Sequence, residues 1–384
     1  MSSESAMLEI TETLQDIVNN IKINSDNFQI SHTKLSSKTS SKSNILQLKK
    51  LPFKNQHSYL NLRILNLLYQ IYLKGLFVDK SNKVIKTNEQ ILQNIDANSI
   101  DWEFYEQLDI NNKGEFWLHP SFHIVKQEID GNLIAEFDNG FLQLRRDRHL
   151  PSAFQATTIG DAVAIKIPSS FIDKSYYMAI GNSMGGFPPQ KSYRYTILIH
   201  FNFNCEAAVF AMNYLTTELN KLEVMFRFKV LHNPLNYRLY NSGILQVFSY
   251  EYNPNLYKEA ILPVLQKIYT ENKEHFNSKI PIFNKKLAPG IGLAERPHSG
   301  IKFKHTLNSE VSYCELIADA LLEAHQKGDE SPKARMKCII KYFEKSGIDL
   351  ERAYLNSGFE DIYTPLNLND DTEKSKTSNE YQMS

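Results

Sequence analysis

The run Phe226–Val230, Phe-Arg-Phe-Lys-Val, holds the residues best placed to do chemistry. It alternates strictly, so a strand would turn Phe226, Phe228 and Val230 to one side and Arg227 and Lys229 to the other. The two cations would then sit about 6–7 Å apart. Like charges that close disfavour each other's protonation, burial adds to this, and arginine keeps its proton. Lys229 is therefore a candidate base. An amphipathic strand with a solvated basic side explains the same run without chemistry, and on this stretch alone it is the favoured reading.

The flanking pattern gives these residues a frame. Tyr193–Phe203 reads as a strand, with Arg194, Thr196, Leu198 and His200 on one side. Asn204 is placed to cap a helix from Cys205 to Leu222, whose Ala207, Ala211, Leu215, Leu219 and Leu222 share a side. Strand, helix and strand would form a crossover that lays both strands in one sheet. The helix should cover the apolar side, leaving Arg194, His200, Arg227 and Lys229 together on the other. Arg238, Lys285 and Lys286 follow, and between Lys191 and Tyr250 the only acids are Glu206, Glu218 and Glu223. A basic pocket suits an anion such as phosphate, which guanidinium groups bind through paired hydrogen bonds. Scattered strand-end cations with surface partners fit equally well. His200 is a candidate general acid, although a lone strand histidine is more often structural. No Walker loop, dinucleotide-binding glycine motif, GxSxG or HExxH is present.

The rest of the chain sets bounds. Lys+Arg and Asp+Glu both number 43 in 384 residues, so the net charge is zero. That argues against bulk binding to nucleic acid or a membrane surface. Cys205, Cys314 and Cys338 are far apart, which supports neither a zinc site nor a disulfide framework. No apolar run reaches the roughly 20 residues of a spanning helix, and the N-terminus lacks the features of a secretory signal. A cytoplasmic protein without metal or organic cofactor is expected.

Residues 1–50 are rich in Ser and Asn and read as a disordered leader, apart from a short helix near Met7–Ile21. Residues 51–180 read as an N-terminal α+β domain. In it, helices are expected over His57–Leu73, Asn88–Ile95 and Asp101–Leu108. Short strands follow at 115–118, 124–125, 133–135, 141–144 and 163–167, with turns at Asp130-Gly131-Asn132 and Asp138-Asn139-Gly140. The Gly/Pro-rich stretch 181–189 is the best boundary. Residues 181–364 then form a second α+β domain, with further strand 244–250, helix 256–269, a Pro/Gly loop at 285–292 and helices 314–326 and 334–344. A polar tail, 365–384, ends the chain.

Three segments carry a resemblance. Phe226-Arg-Phe-Lys-Val-Leu-His-Asn-Pro234, Lys286-Leu-Ala-Pro-Gly-Ile-Gly-Leu-Ala-Glu295 and Ala353-Tyr-Leu-Asn356 resemble signature segments of the HopA effector family. Its first members were type III secreted effectors, and related domains accompany kinases in class V lanthipeptide biosynthesis. The family is in turn distantly similar to bacterial phosphothreonine lyases. The resemblance implies an α+β fold with a mixed sheet packed on helices in a phosphothreonine-lyase-like domain, behind a smaller helical/β-hairpin domain. It implies a phosphoserine/phosphothreonine lyase acting on a precursor peptide phosphorylated by a partner kinase. The alternatives are a catalytically silent phosphopeptide- or partner-binding module, or an effector secreted through a type III system that acts on a host protein. His200 would be the general acid, Lys229 the base and Arg238 a phosphate clamp. Arg194 and Arg227 join the phosphate site from their expected faces, and Lys286 as a nearby cation. Leu198 stands where the lyase motif has a lysine. Either a cation such as Arg194 or Lys286 replaces it, or the enolate and phosphate are less well stabilised, or catalysis has been lost.

Overall fold

The computed structural model describes residues 3–368 apart from 34–40, 76–99, 116, 138–139, 168, 185–192, 238 and 297–308. The helix expected at 88–95, the Asp138-Asn139 turn and most of the expected boundary loop lie outside the described residues.

The helices are α1 (Ser3–Asn20), α2 (Lys42–Lys49), α3 (Phe53–Leu68, continued by a π turn to Leu73), α4 (Trp102–Asn111), α5 (Cys205–Lys221), α6 (Leu262–Glu271), α7 (Ser309–Gln326) and α8 (Pro332–Lys345). The strands are β1 (Lys22–Asn24), β2 (Gln29–Ser31), β3 (Trp117–Gln127), β4 (Leu133–Phe137), β5 (Gly140–Leu144), β6 (Ala162–Ile167), β7 (Ser170–Asp173), β8 (Tyr176–Ile180), β9 (Tyr195–Phe201), β10 (Met225–Leu231), β11 (Gly243–Ser249), β12 (Lys285–Ala288) and β13 (Ile291–Glu295). The α+β class stands.

The central feature is a seven-stranded sheet in the order β12-β13-β9-β11-β10-β8-β7. The crossover through α5 lays β9 and β10 in this sheet, running the same way. However, β11 lies between them, and every neighbouring pair is antiparallel. The sheet is thus antiparallel where a mixed one was expected. The strand periodicity sorts its residues cleanly. Ile199, Phe201, Phe228, Val230, Leu245 and Val247 pack with Ala207, Ala211, Leu215 and Leu219 of α5 and Val264, Leu265 and Ile268 of α6. Asn204 caps α5, its Oδ1 accepting from the Ala207 N–H at 3.0 Å. Leu222, expected on the buried side, ends the helix and is exposed.

Three expectations about organisation change. Residues 3–33, read largely as leader, form α1 and a β1–β2 hairpin, whose Leu14, Ile17, Ile21 and Phe28 are buried. These side chains, with Ile64 and Leu68 of α3, share one core with Ile317 and Leu321 of α7 and Ile339 and Phe343 of α8. Both chain ends therefore build a single helical layer, because an amphipathic helix must bury its apolar stripe against whatever neighbour folding supplies. Next, β7 and β8 pair into the main sheet through β10, so the sheet begins upstream of the expected 181–189 boundary. The small sheet β5-β4-β3-β6 keeps its own core. Last, the expected Pro/Gly loop at 285–292 is the β12–β13 hairpin, which pairs with β9. Gly290 takes φ +76° there, and a Cβ on it would lie 2.3 Å from the Asn277 carbonyl oxygen. Pairing extends past the glycines because they occur where the backbone needs them.

The polar end also orders further than expected. Leu366 is buried and its N–H donates to the Leu287 carbonyl at 2.9 Å.

Candidate functional site

The sheet's register decides which side chains meet. Across the side opposite α5 and α6 runs one row: Lys286, Gly292, His200, Ile244, Lys229, Met178 and Phe171. The next row holds Ala294, Leu198, Gln246, Arg227 and Ile180. Neighbouring strands lie about 4.8 Å apart, so His200 and Lys229 are about 10 Å apart at their Cα atoms, with Ile244 between them. Arg227 is two residues along from Lys229 on the same side. Lys286 is about 19 Å from Lys229 by the same spacing. The structure therefore brings together Lys229 and Arg227, sets His200 about 10 Å from Lys229 with Ile244 between them, and leaves Lys286 apart.

Lys229 has a partner that the sequence around it did not reveal. Its Nζ donates to Asp173 Oδ2. Asp173 belongs to β7, two strands away, and its side follows from Phe171, which shares the Lys229 row. The two cations are therefore not without an acid, because Asp173 comes from β7, upstream of the acid-poor stretch Lys191–Tyr250.

Arg227 packs its guanidinium over the Phe248 ring, 5.3 Å from the centroid. Its Nε is buried and has no hydrogen-bond partner among the described residues. Burial pulls its pKa down, Tyr193 and Asp173 push it up, and Arg296 pulls it down again. Two groups missed in the sequence, Tyr193 and Arg296, thus belong to this cluster. Tyr193 was expected on the apolar side. It instead packs its ring, tilted, against that of Phe248, centroids 4.9 Å apart, because β9 begins only at Tyr195 and the alternation stops there. Arg194 consequently lies outside the strand, exposed, with no side-chain partner among the described residues. Arg238 lies outside the described residues.

His200 is 3% exposed, and its Nδ1 lies 2.9 Å from Asn284 Oδ1. Asn284 Nδ2 donates to the Ile282 carbonyl at 3.3 Å, which aims Oδ1 at the ring. A carbonyl oxygen accepts, so Nδ1 carries the hydrogen and Nε2 is the acceptor nitrogen when the ring is neutral. Two backbone features place Asn284. Phe283 before it takes φ +66°, which is costly for a bulky side chain. It is held there by its burial against Tyr313 of α7 and Phe343 of α8, at 5.2 and 5.7 Å between centroids. Gly292, opposite His200, leaves room: a Cβ there would stand 3.0 Å from Asn284 Cβ.

Leu198, where the lyase motif has lysine, is buried in the row beside His200, at 4% exposure. Lys286 and Asn284 line a cavity of about 270 Å³ whose far wall is Glu12, Thr13 and Asp16 of α1 with Tyr72. Among the described residues no helix is long and apolar enough to cross a membrane.

The fold and site define an α+β domain whose sheet is covered by α5 and α6 on one side and carries Lys229, Arg227 and His200 among apolar neighbours on the other. Residues 167–355, just under half of the chain, match the HopA1 effector protein family. The match begins just before β7 and runs through α8, spanning the seven-stranded sheet. Two solved structures, effector proteins from Pseudomonas syringae, are similar. That from pv. syringae strain 61 is 14% identical, with 66% of this chain and 80% of that one covered and a TM-score of 0.38. That from pv. tomato strain DC3000 is 11% identical, with 78% and 98% covered and a TM-score of 0.38. No curated protein matches the chain.

Proposed function

We propose that this protein is a HopA1-type effector that eliminates phosphate from phosphoserine or phosphothreonine in a kinase-phosphorylated peptide. The observation that carries this reading is the shared row of Lys229 and His200, with Arg227 two residues from Lys229 on the same side. Lys229 takes the proton from Cα. The electron pair forms the Cα=Cβ bond, the Cβ–O bond breaks, and His200, entering as the imidazolium with Nδ1–H held by Asn284, gives its Nε2 hydrogen to the departing phosphate. Arg227, with Arg194 and Arg238, meets the phosphate charge. The product is dehydroalanine or dehydrobutyrine within the peptide. The step needs no oxidant or reductant. A partner kinase phosphorylates the peptide. The family description favours an effector delivered through a type III system onto a host protein over a precursor peptide of class V lanthipeptide biosynthesis.

A second reading is a phosphopeptide-binding module without turnover. It is favoured by Leu198, which leaves the motif's lysine position without a charge, and by the carboxylate on Lys229.

The test is intact mass of a phosphoserine/phosphothreonine peptide library with and without the protein. Loss of one phosphoric acid, absent with Lys229→Ala, supports the lyase. Binding with the phosphate retained supports the module. Neither binding nor loss overturns the phosphate reading.

A further inference from the structure

A zero net charge conceals a local imbalance. Between Asp26 and Asp79 the chain has no Asp or Glu, whereas eight Lys or Arg fall there. Within this stretch α2 and the start of α3 are described. Ile45 and Leu48 of α2 pack against the helical core. The helical repeat then sets Lys42, Leu46 and Lys49 side by side along one flank of α2, all three exposed. Leu46 is 62% exposed, and Phe53, which opens α3 after Pro52, is 73% exposed. Lys49, Lys50 and Lys54 are exposed around them, and none is paired with a carboxylate among the described residues. A monomeric protein gains nothing in water from an exposed Phe and Leu set among unpaired lysines.

We propose that α2 and the α2–α3 junction dock on an anionic lipid bilayer. Leu46 and Phe53 enter the headgroup boundary, where their burial is favourable, and the lysines meet lipid phosphates at the same depth. Nucleic acid would answer the lysines but leave both apolar side chains in water. A bilayer takes both in one contact. The surface lies on the helical layer and does not use Lys229, His200 or Arg227, so the inference stands apart from the elimination reading.

The test is co-sedimentation of the full chain with vesicles of phosphatidylcholine alone, with added phosphatidylserine, and with a phosphoinositide at matched charge. Binding is expected to both anionic vesicles, to weaken with salt, and to be absent from phosphatidylcholine. Each basic residue near the surface contributes about fivefold, so Lys49→Glu with Lys50→Glu should lower partitioning well over tenfold. Phe53→Ser should lower it independently. All three positions are exposed, and an unchanged melting temperature checks the fold. A preference for the phosphoinositide assigns a headgroup and equal binding assigns charge alone; either supports the proposal. No binding to anionic vesicles, undiminished binding by the variants, or retention on nucleic acid in place of vesicles overturns it.

Discussion

Lys229 Nζ donates to Asp173 Oδ2, so a lysine that looked surrounded by cations is held by a carboxylate from two strands away. The pair fixes where the amine sits. Lys229→Ala should lower phosphate elimination about a thousandfold, the usual scale for a lost general base, with phosphopeptide affinity largely kept. Asp173→Asn should keep binding and lower turnover about tenfold, because the amine loses its anchor. Single-turnover mass spectrometry and fluorescence polarisation read the two quantities. Equal turnover in Lys229→Ala would remove it as the base.

Gly292 gives a test of the histidine's support. An added Cβ would stand 3.0 Å from Asn284 Cβ and push that residue away from His200. Gly292→Ala should cost about 1–3 kcal/mol of stability and slow elimination, with little change in phosphopeptide affinity. Denaturant unfolding and turnover assays check both. A variant of wild-type rate would return Asn284 to a purely structural role.

Glu295 predicts a pH dependence. Its carboxylate accepts from the Asn356 N–H at 2.8 Å and the Tyr363 hydroxyl at 2.7 Å, yet burial dominates and raises its pKa above the ordinary 4.5. A raised folded-state value means that the folded protein holds this proton more tightly than the unfolded chain. The contribution is full below the ordinary value and is lost as pH rises through the raised one. Urea midpoints measured over about pH 4 to 8 should show this slope, and Glu295→Gln should flatten it. An identical slope in the variant would assign it to other groups.

Arg335 ties the two chain ends. It is 5% exposed, donates to the Val18 and Ile21 carbonyls at 3.0 and 2.6 Å, and pairs with Glu330. Arg335→Met should cost about 1–3 kcal/mol, the scale of leaving buried carbonyls without their donor, because Glu330 stays partly exposed. It should also make α1 the first site of limited proteolysis. Cleavage elsewhere first would mean that α1 stays docked without the guanidinium.

Much of the main sheet was legible in the sequence. The alternation of Phe226–Val230, the Asn204 cap and the apolar side of α5 are local signals, and each found its place. The partners of the site were not legible, because they come from distant chain. Asp173 reaches Lys229 only through a register no local pattern encodes, and Asn284 reaches His200 only because Phe283 is forced into a left-handed conformation by α7 and α8. The same holds for α1, where a short helix was expected but whose neighbour α8 stands at the other end of the chain. Lys286 was grouped with the phosphate site by sign of charge, and the sheet's width separates it from Lys229.

The left-handed turn at Phe283 also has a meaning in time. His200 is made early, but the side chains that wedge Phe283, Tyr313 and Phe343, are made more than a hundred residues later. A chain still emerging, or one unfolded at its C-terminal helices, can pair β9 with β11 and still lack an oriented histidine. The orientation of His200 is therefore late to mature, and a truncation before α8 should yield a sheet whose His200 is not held by Asn284.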